Sequence, residues 1–263
     1  MAHNYKIIIS YDGTAYGGWQ KQSNAPSIQE ILQKQLSLLT REQVVLKGSG
    51  RTDAGVHAVG QVAHFHSSFP IDIYRFLHSL NAILPIDIRV HTMYEVPMAF
   101  HAQYSAIGKV YHYHLHTAPV LDPFKHLYSL HVYNKLDTEL LKECASLFIG
   151  THDFTSFANQ PQLGSAGRNP VRTLKRLDVV EELNGIRFEF EADGFLYKMV
   201  RNITGTLLKV AAGQISLGDI PKIFEARDRA RAGKAAPPHG LFLIRVDYPE
   251  HLQTFENDVH HGL

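Results

Sequence analysis

Residues 48–58 form a segment of small residues in which one acidic side chain, Asp53, lies between two apolar stretches. The segment contains three glycines, two alanines and two small hydroxyl residues. An apolar stretch at residues 44–46 precedes it, and residues 62–66 alternate in character after it. This pattern predicts a strand, a tight loop and a second strand. The segment therefore predicts one turn of the fold and the position of one carboxylate.

Two interpretations of Asp53 follow from this setting. Glycines let a backbone come close to a ligand, and such a loop can hold a carboxylate at the rim of a cleft, where it acts as a base or a nucleophile. Alternatively, Asp53 caps its own turn through a backbone amide, which is the commonest role of an aspartate among glycines. Composition by itself favours the turn.

The remaining elements follow in an order that runs twice along the chain. In the first half, an apolar strand at residues 5–10 precedes a helix that Ser27 and Glu30 begin as a capping box. The strands around the glycine-rich loop come next, then a helix near residues 73–80 and a strand at residues 88–94. The second half is predicted to contain a strand at residues 111–116, a helix capped by Asp137, a hairpin of strands at 173–181 and 185–191, helices at 195–212 and 220–226, and a strand at 241–246.

Strands mixed with helices and joined by a hairpin indicate an α+β fold with helices on one face of a mostly antiparallel sheet. We predict two similar α+β halves, comparable to RNA-recognition folds, that flank a central cleft. The N-terminal lobe spans residues 1–104 and carries the Asp53 loop, and the C-terminal lobe spans residues 105–248. Residues 249–263 lack a periodic pattern and are expected to fray.

Charge and cysteine content narrow the class of protein. The chain of 263 residues carries 26 basic and 25 acidic side chains, which is little net charge for a nucleic-acid-binding protein. Its basic residues crowd into residues 168–176 and 222–234, however, and such local patches can bind RNA. The single cysteine, Cys144, is predicted to be a packed core thiol and suits a reducing compartment. Because no signal peptide or bilayer-spanning stretch is visible, we expect a cytoplasmic protein.

Five motifs in order along the chain resemble the bacterial tRNA pseudouridine synthase A (TruA) family. The central motif is Gly-Arg-Thr-Asp-Ala-Gly-Val-His at residues 50–57, which continues into residues 60–65. The others are Tyr-Asp-Gly-Thr at 11–14 with Gly-Trp-Gln at 18–20, Tyr-His-Tyr at 111–113, Phe-Leu-Tyr-Lys-Met-Val-Arg-Asn at 195–202, and Pro-Pro-His-Gly-Leu at 237–241. The resemblance spans roughly residues 5–248.

The resemblance implies an isomerase that converts uridine to pseudouridine in the tRNA anticodon stem-loop, at tRNA positions 38–40. It implies no cofactor and no metal, and a homodimer whose second subunit helps to hold the tRNA. The family's residues carry over to Asp53 as the catalytic acid, Arg201 as its ion-pair partner and Tyr111 as the ring that stacks on the target uridine. The carboxylate could attack ribose C1′ or remove a proton from C2′, and the sequence does not choose between them.

Periodicity gives these residues an expected orientation. Alternation places Tyr111 on the opposite face of its strand from His112 and His114. Arg201 falls on a helix side shared with Tyr197 and Gly205, where the glycine is expected to leave room beside the guanidinium. Arg51 is a different case, because at two residues from Asp53 it is expected to face the RNA.

Two places depart from the family pattern. Gln103 stands where the family usually carries arginine, and residues 108–110, Gly-Lys-Val, stand where arginines usually precede the tyrosine motif. RNA affinity and target choice transfer less securely for this reason. We predict RNA contacts by Lys109, Arg168 and Arg172.

Three alternatives stay open at this stage. A metal hydrolase is suggested by 17 histidines and by three pairs, His64/His66, His112/His114 and His260/His261. A non-catalytic RNA-binding module would explain two small α+β halves, although it leaves the acid in the glycine-rich loop without a role. A related pseudouridine synthase with another RNA target is suggested by Gln103.

Overall fold

The computed structural model describes residues 2–22, 25–159 and 169–252. The strands in this part of the chain are β1 His3–Tyr11, β2 Lys47–Gly48, β3 His57–Ser67, β4 Ile88–Val96, β5 Gly108–His116, β6 Leu130–His131, β7 Gly150–Asp153, β8 Val171–Glu182, β9 Gly185–Ala192 and β10 Leu241–Asp247. Its α-helices are α1 Ile28–Thr40, α2 Ile73–Ile83, α3 Thr138–Ser146, α4 Met199–Ala211 and α5 Asp219–Ala226.

The strands form one sheet in the order β4-β1-β3-β10-β5-β9-β8-β7. Neighbours along this path are antiparallel except β3 and β10, which are parallel. The short strands β2 and β6 add to β3 and β5. The predicted α+β class with a mostly antiparallel sheet is confirmed. Strand β10 joins the two groups of strands, because it pairs with β3 on one side and with β5 on the other.

Alternating apolar residues explain why the central strands pair where they do. Tyr5, Ile7 and Ile9 on β1 are almost completely buried, and Ile7 lies between Ala63 of β3 and Met93 of β4. Shifting the register by one residue would turn these side chains away from the core, so the pattern fixes the pairing. The division into lobes at residues 104/105 stays a prediction.

The helix caps follow the sequence closely. The Ser27 hydroxyl accepts from the Glu30 amide at 3.3 Å, and the Asp137 carboxylate accepts from the first amides of α3. Glu30 itself pairs with Lys21 at 3.1 Å, so its side chain is used in an ion pair. Cys144 lies on the buried side of α3, and burial raises the pKa of its thiol to about 12, which agrees with the predicted core thiol.

Two predicted elements were wrong. Residues 44–46 are not a strand, because their backbone groups bond to side chains of α1: the Val44 amide donates to Ser37, and the Leu46 amide and carbonyl pair with Gln33 and Gln29. The helix predicted from residue 195 begins only at Met199, because Lys198 adopts a left-handed backbone with φ 60°.

The C-terminal segment is described only in part. Residues Glu250–Leu252 form a short 3₁₀ turn, and residues 253–263 lie outside the described part of the chain, so the predicted fraying there is untested. None of the helices in the described ranges is long and apolar enough to cross a membrane.

Candidate active site

The glycine-rich loop joins β2 to β3 and is held at its base by hydrogen bonds. The Ser49 amide donates to the Val62 carbonyl at 2.7 Å, and the Ser49 hydroxyl donates to Gln61 at 2.7 Å. The Gln61 amide group in turn donates to the Gly50 carbonyl at 3.2 Å. These contacts anchor the loop to its own hairpin.

The N-terminal motif packs against this loop. The Trp19 amide donates to the Thr52 carbonyl at 3.1 Å, and the hydroxyls of Tyr11 and Thr52 are 2.8 Å apart. Gly18 has a φ of 97°, and a Cβ atom there would lie 2.4 Å from the Thr52 carbonyl oxygen. The motif at residues 11–20 therefore has a local function, which is to position the residue next to Asp53.

The side chains of Asp53 and Arg201 form an ion pair, although the two residues are 148 positions apart in the sequence. Arg201 Nη1 lies 2.5 Å from Asp53 Oδ2, and the two side chains keep 12 % and 20 % of their exposure. Within the described ranges no donor contacts the other carboxylate oxygen, and no backbone amide bonds to this carboxylate. The turn-capping interpretation of Asp53 is therefore wrong. The geometry leaves one carboxylate oxygen available to a substrate.

Arg201 is fixed on its second side by the chain that follows α5. Its Nε donates to the Ala236 carbonyl at 2.7 Å, and the Ala236 amide donates to the Arg201 carbonyl at 2.9 Å. Gly205 makes this approach possible, because a Cβ atom there would lie 1.8 Å from the Lys234 carbonyl oxygen. The expectation that Gly205 leaves space beside the guanidinium was wrong, since the space holds backbone. Tyr197 precedes α4 and does not share a helix face with Arg201.

Tyr111 lies on the buried face of β5, as alternation predicted. Its ring is 8 % exposed and meets the edge of Phe195 at 5.0 Å between centroids. Burial raises the pKa of its hydroxyl, and the nearby Tyr11 and Asp53 raise it further. Tyr111 therefore lies close enough to Asp53 to sense its charge. His112 and His114 project from the other face toward carboxylates of neighbouring strands.

The remaining predicted RNA-binding residues differ in setting. Arg51 is exposed on the loop itself. Lys109 donates from Nζ to the Ser49 carbonyl at 2.8 Å, and burial, followed by the charge of Arg172, lowers the pKa of its ammonium to about 8. Arg172 is partly buried, which lowers the pKa of its guanidinium. Arg168 lies outside the described residues.

The basic stretch at residues 222–234 contains several cations that are bound within the protein. Arg229 donates to Asn202 at 2.7 Å, Arg227 pairs with Asp153 at 3.0 Å and Lys222 pairs with Asp219 at 3.0 Å. These contacts reduce the charge that this stretch can offer to RNA.

Histidines in the described ranges do not assemble a metal site. No group of three or more His, Cys, Asp or Glu side chains in these ranges could hold a metal ion. His64 accepts from the Ala102 amide at 3.1 Å, and burial lowers the pKa of its imidazole to about 4. The pair His260/His261 falls outside the described residues.

One structural residue was missed by the sequence reading. His57 follows the loop directly and is 1 % exposed. Its Nδ1 accepts from the Gly13 amide at 3.1 Å, its Nε2 bonds to the Leu127 carbonyl at 3.0 Å, and its ring stacks on Phe242 at 4.6 Å. The histidine thus connects segments from both predicted lobes beside the loop. The position of His57 in the glycine-rich motif could have indicated a role, but the motif does not show which residues the histidine contacts.

Comparisons with known proteins show which family the chain is similar to. The family model described as tRNA pseudouridine synthase matches residues 7–105 and 144–249. The chain is 58 % identical over 247 residues to tRNA pseudouridine synthase A 1 of Protochlamydia amoebophila, covering 94 % of this chain and 96 % of that one. It is 45 % identical over 245 residues to tRNA pseudouridine synthase A of Acetivibrio thermocellus, covering 93 % and 99 %.

A third relative is tRNA pseudouridine synthase A of Methylacidiphilum infernorum, at 41 % identity over 245 residues that cover 93 % of this chain and 95 % of that one. The matches to these relatives extend over nearly the whole length of each protein. By the family model and by these relatives, the chain belongs to the tRNA pseudouridine synthase A family.

Proposed function

We propose that this chain isomerises uridine to pseudouridine in tRNA, with Asp53 as the catalytic carboxylate. The observation that carries the proposal is the ion pair between Asp53, on the glycine-rich loop, and Arg201 on α4, in a chain that the family model matches. The pair holds one carboxylate oxygen and leaves the other accessible. The names of the relatives support the substrate class.

The reaction needs no added atom. The bond from ribose C1′ to base N1 breaks, and a bond from C1′ to base C5 forms. C5 loses its proton and N1 gains one, so the product has the composition of the substrate. Asp53 starts this sequence in one of two ways. It attacks C1′ and forms a covalent intermediate, whose bond to Asp53 breaks as C5 bonds to C1′, or it removes a proton from C2′ and returns that proton when the new bond forms.

Tyr111 and Arg51 are the proposed substrate contacts. Tyr111 stacks on the target uridine once its base leaves the RNA stack, and base–aromatic stacking of about 1–3 kcal/mol is of the same order as the cost of flipping a base. In the structure Tyr111 is largely covered and packs on Phe195, so stacking requires the neighbouring residues to open. Arg51 is exposed on the same loop as Asp53 and can contact phosphate or help to displace the base.

The finer identity of the substrate and assembly follows the family. We infer that the target uridines lie in the anticodon stem-loop at tRNA positions 38–40, and that two copies of the chain form a homodimer whose second subunit helps to hold the tRNA. We also place the enzyme in the cytoplasm, which suits its buried, unpaired thiol Cys144.

Mapping pseudouridines tests this proposal directly. Unmodified tRNA transcripts are incubated with the parent protein or with Asp53→Asn, and every pseudouridine is located by sequence position. The proposal predicts new pseudouridine at positions 38–40 with the parent protein alone. Modification elsewhere would indicate another RNA target, and tight binding without any modification would favour a non-catalytic RNA-binding module.

A further inference from the structure

Two basic side chains meet on one face of the sheet beside the Asp53 loop. Lys109 on β5 lies opposite Ala192 of β9, and Ala192 lies opposite Leu174 of β8. Opposite residues of paired strands project from the same face, and Arg172 precedes Leu174 by two positions, so it shares that face. Two strand spacings separate β5 from β8, roughly 9–10 Å, which two long side chains can bridge.

Lys109 lies at the base of the loop. Its Nζ donates to the Ser49 carbonyl at 2.8 Å, and a Cβ atom on Gly50 would lie 2.6 Å from the same nitrogen. Tyr111 follows two residues later and therefore projects from the same face as Lys109. The ammonium is thus adjacent both to the backbone of the loop and to the proposed stacking residue.

Neither cation has an anionic partner among the described residues. Arg172 Nη1 donates to the carbonyls of Asn169 at 2.8 Å and Val171 at 2.6 Å. In the described ranges no carboxylate lies within 4.0 Å of Lys109 or Arg172, although Asp193 favours the charge of Arg172 from farther away. Partly buried charges without a partner are costly, and each cation keeps unused N–H donors. Their mutual repulsion contributes to the lowered pKa of Lys109. An anion bound between them would relieve both costs.

We propose that Lys109 and Arg172 together bind one phosphodiester of the RNA strand that carries the target uridine. The inference rests on the proposed function and names a substrate contact beside its catalytic loop. Arginine can present two N–H groups to a phosphate, while lysine supplies a compact charge. Because Lys109 also holds the Ser49 carbonyl, the bound phosphate is connected to the loop that carries Asp53.

The salt dependence of tRNA binding tests the shared site. We compare Lys109→Gln/Arg172→Gln with a control of equal charge change, Lys34→Gln/Lys135→Gln, whose lysines are exposed on α1 and in the loop before α3. The slope of log affinity against log salt should fall by about 0.7–0.9 more in the first variant than in the control, which is one phosphate contact. A fall equal to the control contradicts the site. A fall of twice that size contradicts a shared phosphate.

Charge-neutral linkages identify the phosphate. Methylphosphonate groups are placed one at a time around the modified uridine of a synthetic RNA hairpin. At one position the neutral linkage should weaken binding by the parent protein and leave binding by the double variant unchanged. If every linkage affects both proteins equally, the proposal is wrong.

Arg172→Gln covers the case in which the double variant fails to fold, because it leaves the bond from Lys109 to Ser49 in place. It should lose part of the same linkage effect, and an unchanged linkage profile contradicts the site. These measurements record binding and not turnover. Normal pseudouridine formation with unchanged slopes would overturn this site alone, whereas failure of the proposed function would leave the slopes interpretable.

Discussion

Arg201→Met removes the cation that holds Asp53 and keeps a side chain of similar length. Nη1 and Oδ2 are 2.5 Å apart, and both side chains are mostly buried. Losing one partner of a buried pair costs about 3–5 kcal/mol, which the remaining exposure reduces. The Ala236 carbonyl also loses its donor, a smaller cost of about 1 kcal/mol. We therefore expect the free energy of unfolding to fall by about 2–4 kcal/mol.

Thermal unfolding measures this change. In a chain of this size each kcal/mol shifts Tm by about 2–4 °C, so Arg201→Met should lower Tm by about 4–16 °C. Arg201→Lys keeps the charge but cannot bond Asp53 and Ala236 in the same planar geometry, and it should fall between the parent and Arg201→Met.

A double-mutant cycle with Asp53→Asn isolates the pair. Because both changes remove the same interaction, the double variant should lose about 1–3 kcal/mol less than the sum of the two single variants. Single-turnover pseudouridine formation should fall in Arg201→Met while tRNA affinity changes little. Additive stabilities within about 0.5 kcal/mol, together with an unchanged Tm for Arg201→Met, would refute the reasoning.

Three further changes test other parts of the account. Tyr111→Phe keeps the ring and should keep tRNA binding, so a loss of turnover in this variant would implicate the hydroxyl. Tyr111→Ala removes the ring and should weaken binding of the flipped base. Full activity of Tyr111→Ala would show that the ring belongs to the core alone. Burial lowers the pKa of His64 from 6.5 to about 4 in the folded protein. Between these two pH values the unfolded chain is protonated at His64 and the folded protein is not, so the folded state loses stability as the pH falls from about 6.5 to about 4. This contribution of His64 to the free energy of unfolding, about 3 kcal/mol in urea unfolding, should be absent from His64→Gln. An equal pH dependence of stability in the parent protein and in His64→Gln would exclude the contribution. Gly205→Ala should destabilise the protein by about 1–3 kcal/mol, because its Cβ would strike the Lys234 carbonyl. Gly218→Ala is the control, because its Cβ would lie at an ordinary contact distance of 3.9 Å from the Ser216 hydroxyl, and it should not destabilise the protein. Equal stability of the two variants would exclude the contact at Gly205.

Local sequence patterns predicted the elements whose signal lies within their own residues. An apolar run predicted β1, alternation predicted β5, and the caps at Ser27 and Asp137 predicted the starts of α1 and α3. Residues 44–46 escaped this reasoning because glutamine and serine side chains of α1 satisfy their backbone groups. The periodicity of residues 44–46 cannot show that side chains of α1 will bond to their backbone groups in place of a neighbouring strand.

The site depended on contacts that local patterns do not contain. Arg201 is separated from Asp53 by most of the chain, and only the family resemblance connected them. The role of Gly205 requires the path of residues 233–236, which no helix pattern specifies. The placement of Lys109 and Arg172 on one face of the sheet likewise depends on β9 lying between their strands.

The central claim is that one carboxylate performs the chemistry, and Asp53→Asn tests it most directly. The substitution is nearly isosteric, but an amide is a far poorer base and nucleophile than a carboxylate. Thermal unfolding and tRNA affinity first establish that the variant folds and binds. Pseudouridine is then measured in a single turnover, with variant protein in saturating excess over labelled tRNA. The single-turnover rate of Asp53→Asn should be many orders of magnitude below that of the parent protein, with tRNA affinity nearly unchanged. A rate within about tenfold of the parent, only ~1.4 kcal/mol of barrier, would contradict it.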